Sequence, residues 1–299
     1  MIRKAVIPAA GLGTRLLPAT KQQPKEMLPI FATDDSNGQY LKPFVQLVFE
    51  ELYEVGIREF CFIIGRGKRS IEDHFVVDKT LLKYLRGYQV GVRKELDRFH
   101  RKIEKSNISF VNQAEPSGFG DAVRLAKWFT NKDDFIVHAG DDLVISRNGG
   151  YLTRLMDTFE KYDADAVLCV ERVKDPERYG VVEGQKMRPN IYRVTRIEEK
   201  PRHPRSDLAV IAVYAFRERI YDSLDKIRVP SGHELQLTSG IQRIIDAGGI
   251  VYAMQIRKDE RRVDIGTPES YWMALNLSKK RTLSYGEGNT FSPLGKPTA

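Results

Sequence analysis

Between Gly11 and Ile30 the chain reads GLGTRLLPATKQQPKEMLPI, a run whose residue types can manage a polyphosphate. Gly11 and Gly13 let the backbone turn sharply and bring amide N–H groups close to an anion, because no Cβ stands in the way. Arg15, Lys21 and Lys25 follow within a short span. Such a group can neutralise charge on a triphosphate and on a departing pyrophosphate. Lys21 taken alone reads as a solvated surface lysine; the block as a whole does not. Two commoner phosphate loops fail on spacing. Leu16 stands where the dinucleotide-binding G-x-G-x-x-G needs its third glycine, and no G-K-[ST] completes a Walker A loop. A nicotinamide-dependent dehydrogenase therefore has only G-x-G after a strand in its favour.

Six further blocks follow in order. They are Gln113 with Gly118-Phe119-Gly120-Asp121-Ala122-Val123, Ala139-Gly140-Asp141-Asp142, Tyr179-Gly180-Val181-Val182-Glu183, Glu199-Lys200-Pro201, Glu234-Leu235-Gln236-Leu237-Thr238 and Asp264-Ile265-Gly266-Thr267. With the opening run G-x-G-T-R-x-x-P-x-[ST]-x-x-x-P-K-x-[ML], they resemble the signature of the sugar-1-phosphate nucleotidylyltransferases. PATKQQPKEMLP is similar to the bacterial-type glucose-1-phosphate uridylyltransferases, as opposed to the thymidylyl or guanylyl branches. The resemblance spans nearly the whole chain and leaves out only the tail and residues 80–105.

The resemblance implies transfer of a uridylyl group from UTP to glucose 1-phosphate, giving UDP-glucose and pyrophosphate, with Mg2+ as cofactor. By position it implies nucleotide binding at Ala10, Gly11, Gly13 and Thr14, with Gln113 and Gly118 at the edge of the base. The Gln113 amide suits that duty, since it can donate and accept at once to a uracil imide; a strand-end amide satisfied by backbone is the plain alternative. Arg15 and Lys25 are implied as the catalytic cations on the triphosphate. Asp141 and Asp264 are implied as the Mg2+ ligands, with Asp142 a near neighbour able to share the duty. Two carboxylates at the ends of apolar strands fit a hard cation bound with substrate phosphates, although single loop aspartates are usually turn-formers or caps. Gly180, Glu199 and Lys200 match the sugar-phosphate set: Glu199 can accept from hydroxyls, and Lys200 suits a phosphate as a point charge. A surface E-K-P turn is the ordinary reading of that last block. Glu234, Gln236 and Thr238 begin a helix, where Glu234 also serves as a helix-dipole partner.

Two positions depart from the pattern: Ser239 replaces an acidic residue and Asp121 replaces a histidine. Both touch substrate preference and leave the phosphate and metal groups intact. A thymidylyltransferase using dTTP, and a catalytically silent regulatory paralogue, are the alternatives to uridylyl transfer. The five histidines form no triad or metal spacing.

These residues need a frame. Residues 2–8 form a short apolar run into the glycine turn, the usual opening of a nucleotide-binding βα unit. Residues 60–64 are a continuous apolar run of the buried parallel-strand kind, and 108–111 and 135–137 read as two more strands. Residues 43–55 carry apolar side chains at helical spacing before Gly56, and 120–129 read as a short helix. The alternation implies an α/β fold with a Rossmann-like mixed, mostly parallel sheet flanked by helices. After Asp142 the chain becomes β-rich and more antiparallel, with strands expected at 166–173, 180–183, 192–198, 208–216 and 251–256. Helices are expected at 151–162, 220–227, 235–247 and 268–280, the last with proline in its first turn. In residues 80–105 apolar side chains recur at steps of three and four, giving an amphipathic helix or helix pair weakened at Gly87 and Gly91. Its outer face is basic (Arg86, Arg93, Lys94, Arg98, Arg101, Lys102), suited to packing on the domain or to a subunit contact. The expected organisation is a single nucleotidyltransferase domain over residues 1–283, followed by a flexible tail at 284–299. Within the domain, 1–142 is mainly nucleotide-binding and 143–283 is mainly sugar-phosphate-binding.

Composition agrees with an enzyme of this kind. Cys61 and Cys169 lie in apolar runs and read as small core residues, with no disulfide framework or metal pair. The formal net charge of +8 and pI near 9.3 suit a polyanionic ligand. No zinc-finger spacing, RNP-like motif or basic stripe points to nucleic acid. No stretch approaches the roughly 18 apolar residues of a membrane span, and the opening residues carry no export signal, so a cytoplasmic protein is expected. The expected partners are UTP, glucose 1-phosphate and further copies of the chain, as a dimer or tetramer.

Overall fold

The computed structural model describes residues 2–33, 39–85, 90–146 and 149–286. The first strand, β1 (Lys4–Ala9), is apolar on both faces. Ala5, Ile7 and Ala9 enter one core layer and Val6 the other. Beyond it the signature run folds as three single turns of 3-10 helix, Thr14–Leu16, Ala19–Lys21 and Lys25–Met27. No α-helix follows β1 directly, unlike the expected βα unit. Pro18 and Pro24 lack the N–H that a continuous ladder needs. A hairpin of β2 (Pro29–Thr33) and β3 (Gln39–Pro43) comes next, and then α1 (Phe44–Glu54). The second hairpin strand, Gln-Tyr-Leu-Lys-Pro, shows no apolar run in the sequence.

The chain continues through β4 (Glu59–Gly65), α2 (Arg69–His74), α3 (Lys79–Tyr84) and α4 (Val90–Glu104) to β5 (Asn107–Gln113). Residues 80–105 are thus a helix pair; Arg86 and Gly87 lie outside the described residues. The helix expected at 120–129 is two, α5 (Phe119–Arg124) and α6 (Lys127–Thr130), because the ladder tightens where Ala126 N donates to Val123 O. Then come β6 (Phe135–His138), β7 (Asp142–Ile145), α7 (Gly150–Lys161), β8 (Ala166–Arg172), β9 (Gly180–Arg188), β10 (Ile191–Glu199) and β11 (Leu208–Phe216). The last elements are α8 (Arg219–Asp225), α9 (Leu237–Asp246), β12 (Val251–Gln255), β13 (Arg261–Asp264) and α10 (Pro268–Gly286). α10 runs past Lys280 and takes in residues 284–286, which the sequence assigns to the tail. No proline or glycine interrupts the chain before Gly286, so nothing stops the helix earlier. Residues 287–299 lie outside the described part.

Nine strands form one sheet in the order β5-β4-β1-β6-β11-β8-β12-β10-β9. β1, β4, β5 and β6 are mutually parallel. β11 runs against both β6 and β8, β12 is parallel to β8, and β10 runs against β12 and β9. Only β10 and β11 therefore oppose the common direction, and the sheet is mixed and mostly parallel, as the alternation implies. Apolar clusters cover both faces. One packs α1, α4 and α7 and the other α5, α8 and α9. Two small ribbons, β2–β3 and β7–β13, stand outside the main sheet. No helix among the described residues is long and apolar enough to cross a membrane.

Phe49 on α1 centres the first core: its ring lies 4.6 Å from Phe60 and 5.2 Å from Phe75. Phe49→Ala should cost about 3–5 kcal/mol of unfolding free energy. Tyr84→Ala, at an exposed position of α3, should stay within about 0.5 kcal/mol of wild type. Urea denaturation with an unchanged m-value measures both, and equal losses would contradict this placement of the core.

Candidate active site

Parallel strands end together, and ligands of open α/β sheets bind at those carboxyl ends. Here β1 ends at Ala9, β4 at Gly65 and β5 at Gln113, with Gly65 and Gln113 paired in register. A Cβ on Gly65 would lie 2.7 Å from the Ala10 carbonyl oxygen, so this close approach requires glycine. Above these ends opens a cleft of about 380 Å³. Ala10, Gly11, Gly13, Thr14, Arg15, Lys25, Gln113, Gly118 and Asp141 all line it. Asp264, Gly180, Glu199 and Lys200 do not.

The glycine turn owes its shape to Gly13, whose φ of 64° is left-handed; Thr20 Oγ1 donates to its carbonyl at 2.7 Å. The Lys25 side chain folds back over Gly11, with Nζ 3.5 Å from where a Gly11 Cβ would stand. Nζ meets Asp141 Oδ2 at 2.5 Å. Burial alone would raise the Asp141 carboxyl, but Lys25, then Lys68 and Arg262, outweigh it and hold it below the ordinary carboxylate range. Burial likewise works against the Lys25 charge, and Asp141 and Glu26 reverse the sign, so the ammonium is raised. Both groups are charged at neutral pH.

Directly beneath, Glu26 is 1% exposed and accepts from Lys68 Nζ with both oxygens, at 2.9 and 2.7 Å. Burial pushes each partner toward neutrality, and the other pulls it back. Glu26 also packs on Gly140, where an added Cβ would lie 3.4 Å from its Cγ. The pair is thus wedged between the Lys25 turn and the Asp141 turn. Neither residue stands out in the sequence, although Gly65-Arg66-Gly67-Lys68 after β4 repeats the glycine-and-cation pattern of the first loop.

The ribbon β7–β13 delivers Asp264. Its register sets Asp264 opposite Asp142, and Ile265 N donates to Asp141 O at 3.3 Å. Asp142 is buried and accepts from Arg262 Nε with both oxygens, at 2.9 and 3.0 Å. It anchors Arg262. Arg262 lies over the Tyr179 ring and also pairs with Glu171 at 3.4 Å. Asp264 Oδ1 accepts from Gly266 N at 2.9 Å, and Arg15 Nη2 and Asp264 Oδ1 each lie 3.1 Å from where a Gly266 Cβ would stand. Among the described residues, no hydrogen bond engages Asp141 Oδ1 or Asp264 Oδ2. Hard oxygen donors of this kind suit Mg2+. No cluster of three or more such ligands exists among the described residues, so water and phosphate would have to complete the shell of a bound cation.

A second cleft of about 190 Å³ adjoins the first and shares Phe119 with it. Gly180 and Glu199, paired in register on β9 and β10, line it together with Thr238. Thr238 Oγ1 donates to Glu199 Oε2 at 3.2 Å, and a Cβ on Gly180 would crowd both side chains. Lys200 lines neither cleft. Its φ is 43°, its N–H donates to Tyr179 O, and its side chain is 65% exposed with Nζ 4.0 Å from Glu199 Oε1. α9 begins only at Leu237, so Glu234 precedes the helix instead of opening it; it lines the first cleft and accepts from Gln236.

Removing one partner of a buried ion pair strands the other. Lys68→Met should therefore lose about 3–5 kcal/mol of stability in urea. Glu26→Gln with Lys68→Met should recover most of that loss. A double variant as unstable as the single one would show that something other than the pair holds this layer.

The arrangement has known counterparts. A model of the Nucleotidyl transferase family matches residues 4–281. The UTP–glucose-1-phosphate uridylyltransferase of Bacillus subtilis (strain 168) is 38% identical over 249 residues, covering 81% of this chain and 80% of that protein. A crystal structure of apo UDP-glucose pyrophosphorylase is similar with a TM-score of 0.84 and 31% identity, over 94% of this chain and 99% of that one. A UDP-glucose pyrophosphorylase complexed with UDP-glucose is similar with a TM-score of 0.81 and 31% identity, over 94% and 100% of the two chains. With nearly its whole length so matched, this chain belongs to the nucleotidyl transferase family.

Proposed function

We propose that this chain is a UTP–glucose-1-phosphate uridylyltransferase. The observation that carries the reading is the convergence of Arg15, Lys25, Gln113 and Asp141 on one cleft that adjoins a smaller one lined by Gly180 and Glu199. Relatives named for UTP and glucose 1-phosphate, and a similar structure holding UDP-glucose, support the choice of substrates. In this reading the Ala10 and Gly11 backbone and Gln113 take the base, while the turn from Gly11 to Arg15 takes the triphosphate. Glu199 and Gly180 take the sugar hydroxyls, and Lys200, carried on its exposed turn, meets the 1-phosphate at the mouth. Residues 1–142 serve mainly the nucleotide and 143–283 mainly the sugar phosphate, within one domain. The proposal extends to the cytoplasm as the place of action and to a dimer or tetramer of identical chains.

A sugar 1-phosphate is already an anion near neutral pH, so its oxygen needs no general base to attack the α-phosphorus in line with the departing pyrophosphate. Repulsion between two polyanions is the obstacle. Lys25 and Arg15 lower it by presenting positive charge from fixed positions, and the glycine turn adds backbone N–H groups. Asp141 and Asp264 would hold Mg2+, which supplies further positive charge to the phosphate oxygens when bound.

Pyrophosphate release with glucose 1-phosphate should be rapid with UTP, weaker with dTTP, CTP, ATP and GTP, and abolished by EDTA. Preference for dTTP would move the chain to thymidylyl transfer, and silence with every triphosphate would make it a non-catalytic relative. Lys25→Ala should lower kcat by about 10²–10³-fold with the fold retained. Near-normal turnover in that variant would remove Lys25 from the mechanism.

A further inference from the structure

The orientation of the Gln113 amide decides what the cleft can read, and this chain fixes that orientation with a residue of its own. Gln113 is 6% exposed at the end of β5 and lines the larger cleft. Its Nε2 donates to Asp121 Oδ2 at 2.9 Å and to Gly118 O at 3.2 Å. Both partners are acceptors only. Turning the amide over would set Oε1 against a carboxylate oxygen and a carbonyl oxygen, an unfavourable contact at each in a buried place. Asp121 is itself held, because Arg124 Nη2 donates to its other oxygen at 2.6 Å. The chain Arg124–Asp121–Gln113 therefore spends both Nε2 hydrogens. Gln113 Oε1, which has no hydrogen-bond partner among the described residues, remains for whatever enters the cleft.

We propose that Asp121 is a positioning residue that sets base specificity: by locking the Gln113 amide it makes the cleft present a hydrogen-bond acceptor, which selects a pyrimidine with a ring N–H. The inference rests on the uridylyl reading. Uracil carries a proton on its N3 and can donate it to Oε1. Cytosine has a lone pair on the same ring atom, so two acceptors would face each other, and the locked amide cannot turn to relieve them. An unlocked glutamine could serve either base, because its amide offers a donor on one side and an acceptor on the other. Asp121 thus acts by removing one of the two choices. It touches neither the phosphates nor the sugar in this account, so its signature is a changed ratio between nucleotides, not a general loss.

The test is calorimetric binding of UTP and of CTP to the full chain, in wild type, Asp121→Leu and Asp121→Asn, with Asp121→Ala in place of leucine should leucine not fold. Wild type should prefer UTP. Leucine or alanine should narrow the UTP-to-CTP ratio about tenfold or more, partly through tighter CTP binding, as expected for exchanging one hydrogen bond. Asparagine has a single oxygen for the two donors that Asp121 serves, Arg124 and Gln113, so its preference should fall between wild type and leucine. A ratio unchanged in the leucine and alanine variants, with wild type still preferring UTP, overturns the role of Asp121 and leaves the uridylyl reading standing. Wild type that shows no preference for UTP overturns both.

Discussion

A site for a polyanion needs positive charge, yet a folded chain cannot bury positive charge alone. Burying one ion costs several kcal/mol, and only a close partner of opposite sign offsets it. The structure meets this constraint with neighbouring buried pairs, Lys25 with Asp141, Lys68 with Glu26 and Arg262 with Asp142. Each joins segments far apart in the chain. The pairs therefore do more than neutralise one another: they fix the signature loop, the turn after β4 and the two-stranded ribbon in one arrangement. Without them the carboxyl ends of β1, β4 and β5 would still meet, but the charges above them would have no defined place.

This layering gives the two members of the upper pair different work from the pairs below. Lys25 and Asp141 reach the cleft and are partly exposed, so an incoming phosphate or cation can compete for either one. Glu26 also borders the cleft, but it, Lys68 and Asp142 are buried more deeply than Lys25 and Asp141. Removing one partner of a buried pair strands the other at about 3–5 kcal/mol, so these deeper pairs can keep the upper one in position while its partners are exchanged. Asp142 meets its arginine with both carboxylate oxygens, whereas Asp141 meets its lysine with one.

Much of the frame and most of the cleft could be read from local signals. Continuous apolar runs mark β1, β4 and β8, and the glycine-and-cation run marks the loop, because burial on both faces and phosphate contact each demand particular residue types in unbroken order. What escaped was non-local or weakly patterned. β13 reads Arg-Arg-Val-Asp and β7 Asp-Leu-Val-Ile, strands too short and, in β13, too polar to announce themselves; their mutual pairing sets Asp264 opposite Asp142. Lys68 and Arg262 gain their meaning from carboxylates 42 and 120 positions away, which no window along the chain contains. Lys200 is a different case: its motif points to the sugar phosphate, but nothing local in it announces the left-handed backbone that leaves the side chain in solvent beside Glu199.

The contrast between Gln113 and Lys200 follows from what each has to recognise. Telling one base from another depends on the direction of a neutral hydrogen bond, and direction is worth something only if the group cannot turn. Burial and acceptors on two sides give Gln113 that rigidity. Holding a phosphate depends mainly on charge, which acts over several ångströms and in any orientation, so an exposed ammonium at the rim would lose little in the proposed reading. Arg15, exposed at the turn, follows the same rule. In the proposed reading the chain thus keeps its buried, hydrogen-bonded polar contacts for the part of the ligand that varies between nucleotides, and its exposed charges for the part they share.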